Sequence, residues 1–285
     1  AVAENAAPCA AVAAAFMEAW LDPEVDGVWC ATGGYGTMRL YDLLDFEAIR
    51  AHPKLFCGMS DITGLHLALG RRARLITFLG PNAIWPITRD NLSPCVFAQT
   101  WFLRAVRADL YRDASGGLLP PYTFAHPQHP RDPQQEAADR AEVKPLNPGR
   151  AQGRLTGGNL SLIAATAGTP YEIETSGRIL VLEDVREQPY RLDRMLCQLE
   201  LAGLLERPAG VVLGTWHGCQ PDNPERSLTV DEVMQDYFAG RPYPVIMNFP
   251  TGHVPEQTTL PLGAMAELDA DALTLRLLEI PVTLD

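Results

Sequence analysis

The chain is short of positive charge. Its 285 residues carry 23 Lys and Arg against 35 Asp and Glu, a net charge of 23 − 35 = −12 with histidine neutral. A field of that sign repels phosphate backbones and anionic membrane surfaces, and no basic stripe offsets it, so neither nucleic acid nor membrane is an expected partner. Long apolar runs are missing too, and no stretch approaches the roughly 18 residues of a spanning helix. The alanine-rich start, Ala1 to Ala19, has Glu4 and Asn5 early and no basic residue ahead of them, which reads as a helix rather than a secretory leader.

Paired cysteines are lacking as well. Cys9, Cys30, Cys57, Cys95, Cys197 and Cys219 form no C-x-x-C, and most sit in apolar runs. That usage points to reduced, buried thiols in a reducing compartment and away from a disulfide framework or zinc site. The six histidines show no H-E-x-x-H or other metal spacing, so no metal or cofactor is expected. The cluster Gly33-Gly34-Tyr35-Gly36 is not G-x-G-x-x-G, and no P-loop lysine follows it, which weakens a nucleotide-binding reading.

What is present is apolar residue in quantity: 47% of the chain is hydrophobic, enough for one large domain or two ordinary ones. Strands and helices alternate in the first half. Strands are predicted at Gly27 to Ala31, Leu55 to Gly58 and Leu75 to Leu79, and helices at Met38 to Ile49, Asp61 to Leu69 and Pro94 to Ala108. This alternation implies an α/β fold with a parallel sheet covered on both faces. Prolines then crowd residues 115–150, which read as a linker or an extended strand-and-loop crossing. In the second half, strands are predicted at Ile179 to Leu182, Gly210 to Gly214 and Pro244 to Asn248, helices at Arg191 to Leu205 and Val230 to Phe238, and short β segments from Leu262 to Leu284. The expected division is therefore 1–114, a linker at 115–150, and 151–285.

Three constellations suit chemistry. In Gly58-Met59-Ser60-Asp61-Ile62, an apolar strand ends at a glycine and a helical pattern follows, with Ile62, Leu65, His66 and Leu69 on one face. A serine on such a turn exposes its hydroxyl, and the next amide points at whatever is attacked. The same residue types also suit a helix N-cap. The glycine loop 33–36 follows a strand, where its amides can face an anion or oxyanion, or simply make a tight turn. Glu183 at a strand end and His253 in Pro250-Thr251-Gly252-His253 are a carboxylate and a base. Ser, Glu and His in that order suit a nucleophile, an orienting carboxylate and a general base, with Asp61 and a loop glycine as amide donors. Asp184 and Glu187 compete with Glu183 for the orienting role, and Cys57 or Cys219, the latter near His217, competes as nucleophile.

The chain resembles the LD-carboxypeptidase family of serine peptidases, from about Ala13 to its end. The blocks that carry the resemblance are Asp22 to Ala31 with the glycine loop, Gly58 to Thr63, Gly157-Gly158-Asn159-Leu160, Leu182 to Val185 with Pro189 to Arg194, and Gly252-His253 with Leu260 to Gly263. The resemblance implies a Ser60–Glu183–His253 triad and an oxyanion hole of the Gly34 and Asp61 amides. It also implies a flavodoxin-like or glutamine-amidotransferase-like N-terminal domain, and a swivelling β/α C-terminal domain with the active site between the two. A cytoplasmic, metal-free homodimer that releases D-Ala from murein tetrapeptide in peptidoglycan recycling is the activity implied, with cleavage of peptide-nucleotide antibiotics as the alternative. A non-catalytic binding protein on the same fold is a further alternative. Asn82, Trp85 and Asn159 are candidate cleft residues. Two departures stand out. Family members usually open with a G-D-x-I-x-V-x-A-P strand before the Asp22 block, which this chain does not contain, and its loss is expected to expose ladder groups. Thr32 stands where the family often has arginine, so substrate preference is expected to differ if that arginine binds an anionic peptide.

Overall fold

The computed structural model describes residues 6–84, 95–113, 115, 118, 122–125 and 142–283. The first half holds α1 (Ala6–Leu21), β1 (Gly27–Trp29), α2 (Phe46–Ala51), β2 (Leu55–Gly58), α3 (Thr63–Ala68), β3 (Thr77–Leu79) and α4 (Val96–Val106). Then come β4 (Thr123–Ala125), β5 (Lys144–Asn147), β6 (Arg150–Asn159) and α5 (Leu160–Thr166). The chain continues through β7 (Ile179–Val185), α6 (Pro189–Leu201), β8 (Gly210–His217), α7 (Val230–Phe238) and β9 (Val245–Met247). It closes with β10 (Leu260–Leu262), β11 (Met265–Asp269) and β12 (Thr274–Leu277).

Two sheets result. The smaller is ordered β1-β2-β3-β10: its first three strands are parallel, and the fourth, antiparallel to β3, comes from the far end of the chain. The larger is ordered β4-β12-β11-β6-β7-β8-β9-β5, with a parallel centre from β6 to β9 and antiparallel margins. The α/β fold is as expected. The proline-rich stretch contributes β4 and β5 to opposite edges of the larger sheet, while residues 126–141 fall outside the described residues. β1 is an edge strand, with Gly27 and Trp29 exposed.

The strand period of two explains the layering. On β7, Leu180 and Leu182 join Leu160, Leu192, Leu196 and Phe238 beneath the helices. Ile179 and Val181 face the other way and pack with Met59, Leu79 and Leu260, so the smaller sheet is fastened to the larger through shared core. Each fully buried aliphatic side chain there is worth roughly 1.5–3 kcal/mol. The helix predicted over 38–49 is instead a 3₁₀ segment, Thr37–Leu43, followed by α2. Asp45 breaks it, because its carboxylate accepts the amides of Glu47 and Ala48 and starts a new helix. β6 and α5 escaped prediction. Gly153, Gly157 and Gly158 blur the alternation, yet a Cβ on Gly157 would lie 1.9 Å from the Val181 carbonyl oxygen of β7.

Candidate active site

Ser60 stands two residues past the end of β2, after Met59, and sits at φ 66°, in the left-handed region that a non-glycine residue rarely occupies. An N-cap residue has extended dihedrals; Ser60 does not, so capping is not its role. The turn is held from three sides. Asn82 Oδ1 accepts the Met59 amide at 3.1 Å, and His66 Nε2 lies 2.9 Å from the Gly58 carbonyl oxygen. The third tie is at Asp61. Its carboxylate accepts the Thr37 amide at 2.9 Å, and its carbonyl accepts the Thr37 hydroxyl at 2.6 Å. The glycine loop closes over the same turn: a Cβ on Gly33 would stand 2.7 Å from Ser60 Cβ and 3.0 Å from its Oγ. Gly34, at φ 117°, has open space where a Cβ would be.

Glu183 lies within β7 rather than at its end, with no exposed surface. It continues the face of Ile179 and Val181, toward the smaller sheet. Opposite it the β7–β8 register shifts, Leu182 pairing with Leu213 and Asp184 with Trp216. Such a bulge re-aims side chains. Glu183 Oε2 lies 2.7 Å from His253 Nδ1. A carboxylate only accepts, so Nδ1 carries the hydrogen, and in the neutral ring Nε2 is then the nitrogen with the lone pair. Gly252 makes this contact possible. At φ 113°, it would place a Cβ 2.7 Å from Thr215 Oγ1 and 2.8 Å from Glu183 Oε2.

The other candidates separate cleanly. Asp184 faces α5, where Ser161 donates through both amide and hydroxyl and Asn159 through Nδ2. Burial pushes the Asp184 carboxyl up, the Glu183 charge adds to this, and those donors oppose it. Glu187 pairs with Arg191 at 3.4 Å. Of the three acids, Glu183 is the one on His253. Burial pushes the Cys57 thiol well up and that of Cys219 to about 11, which leaves neither as a ready thiolate. Among the described residues no cluster of three His, Cys, Asp or Glu side chains could hold a metal ion.

The two halves meet around Thr63 and Met59. Thr63 Oγ1 accepts the Asn159 amide at 3.0 Å, and Asn159 is the register partner of Glu183. Gln257, four residues past His253, reaches Met59 Sδ at 3.3 Å. Asn82 and Asn159, expected to line the cleft, are buried and engaged internally, Asn159 also capping α5. Trp85 lies outside the described residues. Sequence reasoning named the glycine loop, His66 and Asp61 but not the bracing roles of Gly33, the His66 ring and the Asp61 carboxylate; the succession of a strand, a serine and a helix gave no sign of which side chains would hold the turn.

A family model described as "LD-carboxypeptidase N-terminal domain" matches residues 2–80, and one described as "LD-carboxypeptidase C-terminal domain" matches residues 152–268. The chain belongs to the LD-carboxypeptidase family. It is 37% identical over 252 residues to a "Probable murein peptide carboxypeptidase" of Bacillus subtilis (strain 168), covering 88% of this chain and 71% of that one. The crystal structure of a muramoyltetrapeptide carboxypeptidase from Oxalobacter formigenes superposes with a TM-score of 0.76 at 29% identity, over 96% of this chain and 84% of that one. Microcin C7 self-immunity protein MccF of Escherichia coli is 28% identical over 270 residues, 90% of this chain and 74% of its own. A structure of MccF in complex with aspartyl sulfamoyl adenosine gives a TM-score of 0.79 at 25% identity, over 95% of this chain and 81% of that one. No helix among the described residues is long and apolar enough to cross a membrane.

Proposed function

We propose that this LD-carboxypeptidase family member is a serine carboxypeptidase that hydrolyses the amide between an L-centre and a terminal D-amino acid, with D-Ala of murein tetrapeptide as substrate and peptidoglycan recycling as the setting. The observation that carries the reading is the 2.7 Å contact between His253 Nδ1 and the buried Glu183 carboxylate. It leaves Nε2 able to take a proton.

In this mechanism Ser60 Oγ attacks the carbonyl carbon of the L-centre while His253 Nε2 takes the hydroxyl proton. Glu183 holds the ring's tautomer and stabilises the imidazolium. The oxyanion is met by the Asp61 amide and a glycine-loop amide, that of Gly34, each donor worth a few kcal/mol. His253 then protonates the leaving nitrogen, and D-Ala departs from an acyl-enzyme on Ser60. Water, deprotonated by His253, attacks the ester, and the tripeptide leaves as Ser60 regains its proton. Residues 1–114 carry the nucleophile in this reading and residues 151–285 carry the glutamate and histidine.

The likeness to MccF favours a second reading, cleavage of a peptide-nucleotide. D-Ala release from murein tetrapeptide, followed by mass spectrometry for wild type and Ser60→Ala, separates the two. Release by the wild type alone supports the carboxypeptidase. Turnover surviving in Ser60→Ala rejects the serine mechanism, and no release by folded wild type moves the substrate to aminoacyl-adenylate analogues.

A further inference from the structure

The glycine loop has no cap of its own. It runs from Gly33 to Gly36 and passes straight into the 3₁₀ segment Thr37–Leu43, whose N-cap residue, Gly36, has no side chain with which to accept an amide. The first amides of a helical segment need an acceptor, and an anion is favoured there. That acceptor is supplied from across the site, by the buried carboxylate of Asp61 on Thr37 N–H at 2.9 Å. Two further bonds run along the same seam: Thr37 Oγ1 donates to the Asp61 carbonyl at 2.6 Å, and the Tyr41 hydroxyl donates to the Gly64 carbonyl at 2.8 Å. At its other end the loop touches Ser60 through Gly33.

We propose that the Asp61 side chain is a positioning residue that latches the glycine loop to the nucleophile turn and so sets the spacing of the oxyanion hole. The inference rests on the serine mechanism proposed above. In it Asp61 has two separate jobs: its amide donates to the oxyanion, and its carboxylate holds the wall that carries the second donor. The arrangement of braces makes the two separable. Asn82 holds the turn at Met59 and His66 holds it at Gly58, so removing the Asp61 carboxylate leaves Ser60 in place and loosens the loop, which then keeps only the Thr37 and Tyr41 hydroxyl bonds. An oxyanion contact is made in the transition state and not in the ground state, so its loss appears in kcat.

The test measures kcat and KM for D-Ala release from murein tetrapeptide by wild type, Asp61→Ala, Asp61→Asn and Thr37→Val, with melting temperatures for each. Asp61→Ala is expected to lose about 10- to 100-fold in kcat, with KM within about threefold of wild type. Asp61→Asn is expected to recover most of that loss, because an amide oxygen still accepts the Thr37 N–H. Thr37→Val keeps that amide and is expected to lose less than Asp61→Ala. An Asp61→Ala enzyme with wild-type kcat, or one that loses in KM alone, overturns the latch, and so does an Asn variant as impaired in kcat as the Ala variant. If Asp61→Ala does not fold, the Asn and Val variants decide. Wild type and Ser60→Ala run alongside: a wild type inert toward the tetrapeptide rejects that substrate and not the latch. The same series is then read as the rate at which a fluorophosphonate probe labels Ser60, with the same order of variants expected.

Discussion

The two halves of the site are built by opposite means. Ser60 is placed by backbone strain, a φ of 66° maintained by side chains that reach in from Asn82, His66 and Thr37. Its surroundings are crowded, and Gly33 lies against it with no room for a Cβ. Glu183 and His253 are placed by regular structure and by space. Glu183 is an inward residue of a parallel strand, at the point where its register against β8 shifts, and His253 reaches it because Gly252 leaves a gap. A nucleophile must stand proud of the chain and accepts a strained backbone to do so. A carboxylate that orients a ring needs burial and a fixed partner, which a strand in mid-sheet supplies. Damage should therefore spread differently from the two halves.

The largest effect is expected on the spacious side. Gly252→Ala puts a methyl 2.8 Å from Glu183 Oε2 and forces a side chain onto φ 113°. The Glu183–His253 contact must open, and kcat should fall about 10²- to 10³-fold, within the range that general-base catalysis supplies. Gly149→Ala, just ahead of β6 and at the end of that strand away from Asn159, faces open space at a similar φ of 114°, so it isolates the cost of the dihedral. Measured side by side, the two variants separate loss of the pair from loss of backbone freedom. Equal losses in kcat would mean that the gap at Gly252 is not what seats His253.

The second effect concerns the brace rather than the nucleophile. Burial pushes the His66 imidazole down to about 4, and its Nδ1 is buried with no hydrogen-bond partner among the described residues. The unfolded chain takes up this proton as pH falls through about 6.5, and the folded chain only near 4. Stability from this group is thus complete above about 6.5 and declines as pH falls toward 4, by on the order of 3 kcal/mol. His66→Gln keeps a donor for the Gly58 carbonyl but does not titrate. Urea unfolding of both proteins at pH 7 and pH 4.5 should show the gap between them narrowing or reversing at the lower pH. A gap that stays constant across that range would mean that His66 is not a buried neutral ring.

These contrasts also explain what was legible in the sequence. The Ser60 turn was readable because a strand, a glycine, a serine and a helical face follow one another locally. The choice of Glu183 over Asp184 was open in the sequence, and strand periodicity decides it once the faces are known: Val181 and Glu183 share one face, Asp184 the other. The braces were not readable, since His66 and Asp61 sit in a helical pattern that predicts burial and not partner. Asn82 read as a cleft residue because its polar type in a loop suits both solvent and backbone, and only its bond to Met59 distinguishes the two. β6 was hidden by glycines whose reasons lie far along the chain: Gly157 closes on Val181 of β7, Gly153 on the Gly177 carbonyl just before it, and Gly158 on the Thr63 side chain of α3.

The smallest effect measures the strain directly. A non-glycine residue in the left-handed region is disfavoured by roughly 1–2 kcal/mol, and glycine is free of that cost. Ser60→Ala and Ser60→Gly both remove the hydroxyl, so both should be inactive, and any difference between them reports the backbone. Ser60→Gly is expected to be the more stable of the two by about 1 kcal/mol, partly offset by the greater freedom of glycine in the unfolded chain. Glycine also withdraws the Cβ against which Gly33 packs, so its gain should be smaller than the dihedral alone would give. Denaturant midpoints of the two inactive proteins make the measurement free of any substrate. An alanine variant as stable as the glycine one would show that the turn relaxes out of φ 66° once the hydroxyl is gone, and that the strain at Ser60 is imposed by the serine itself rather than by the braces around it.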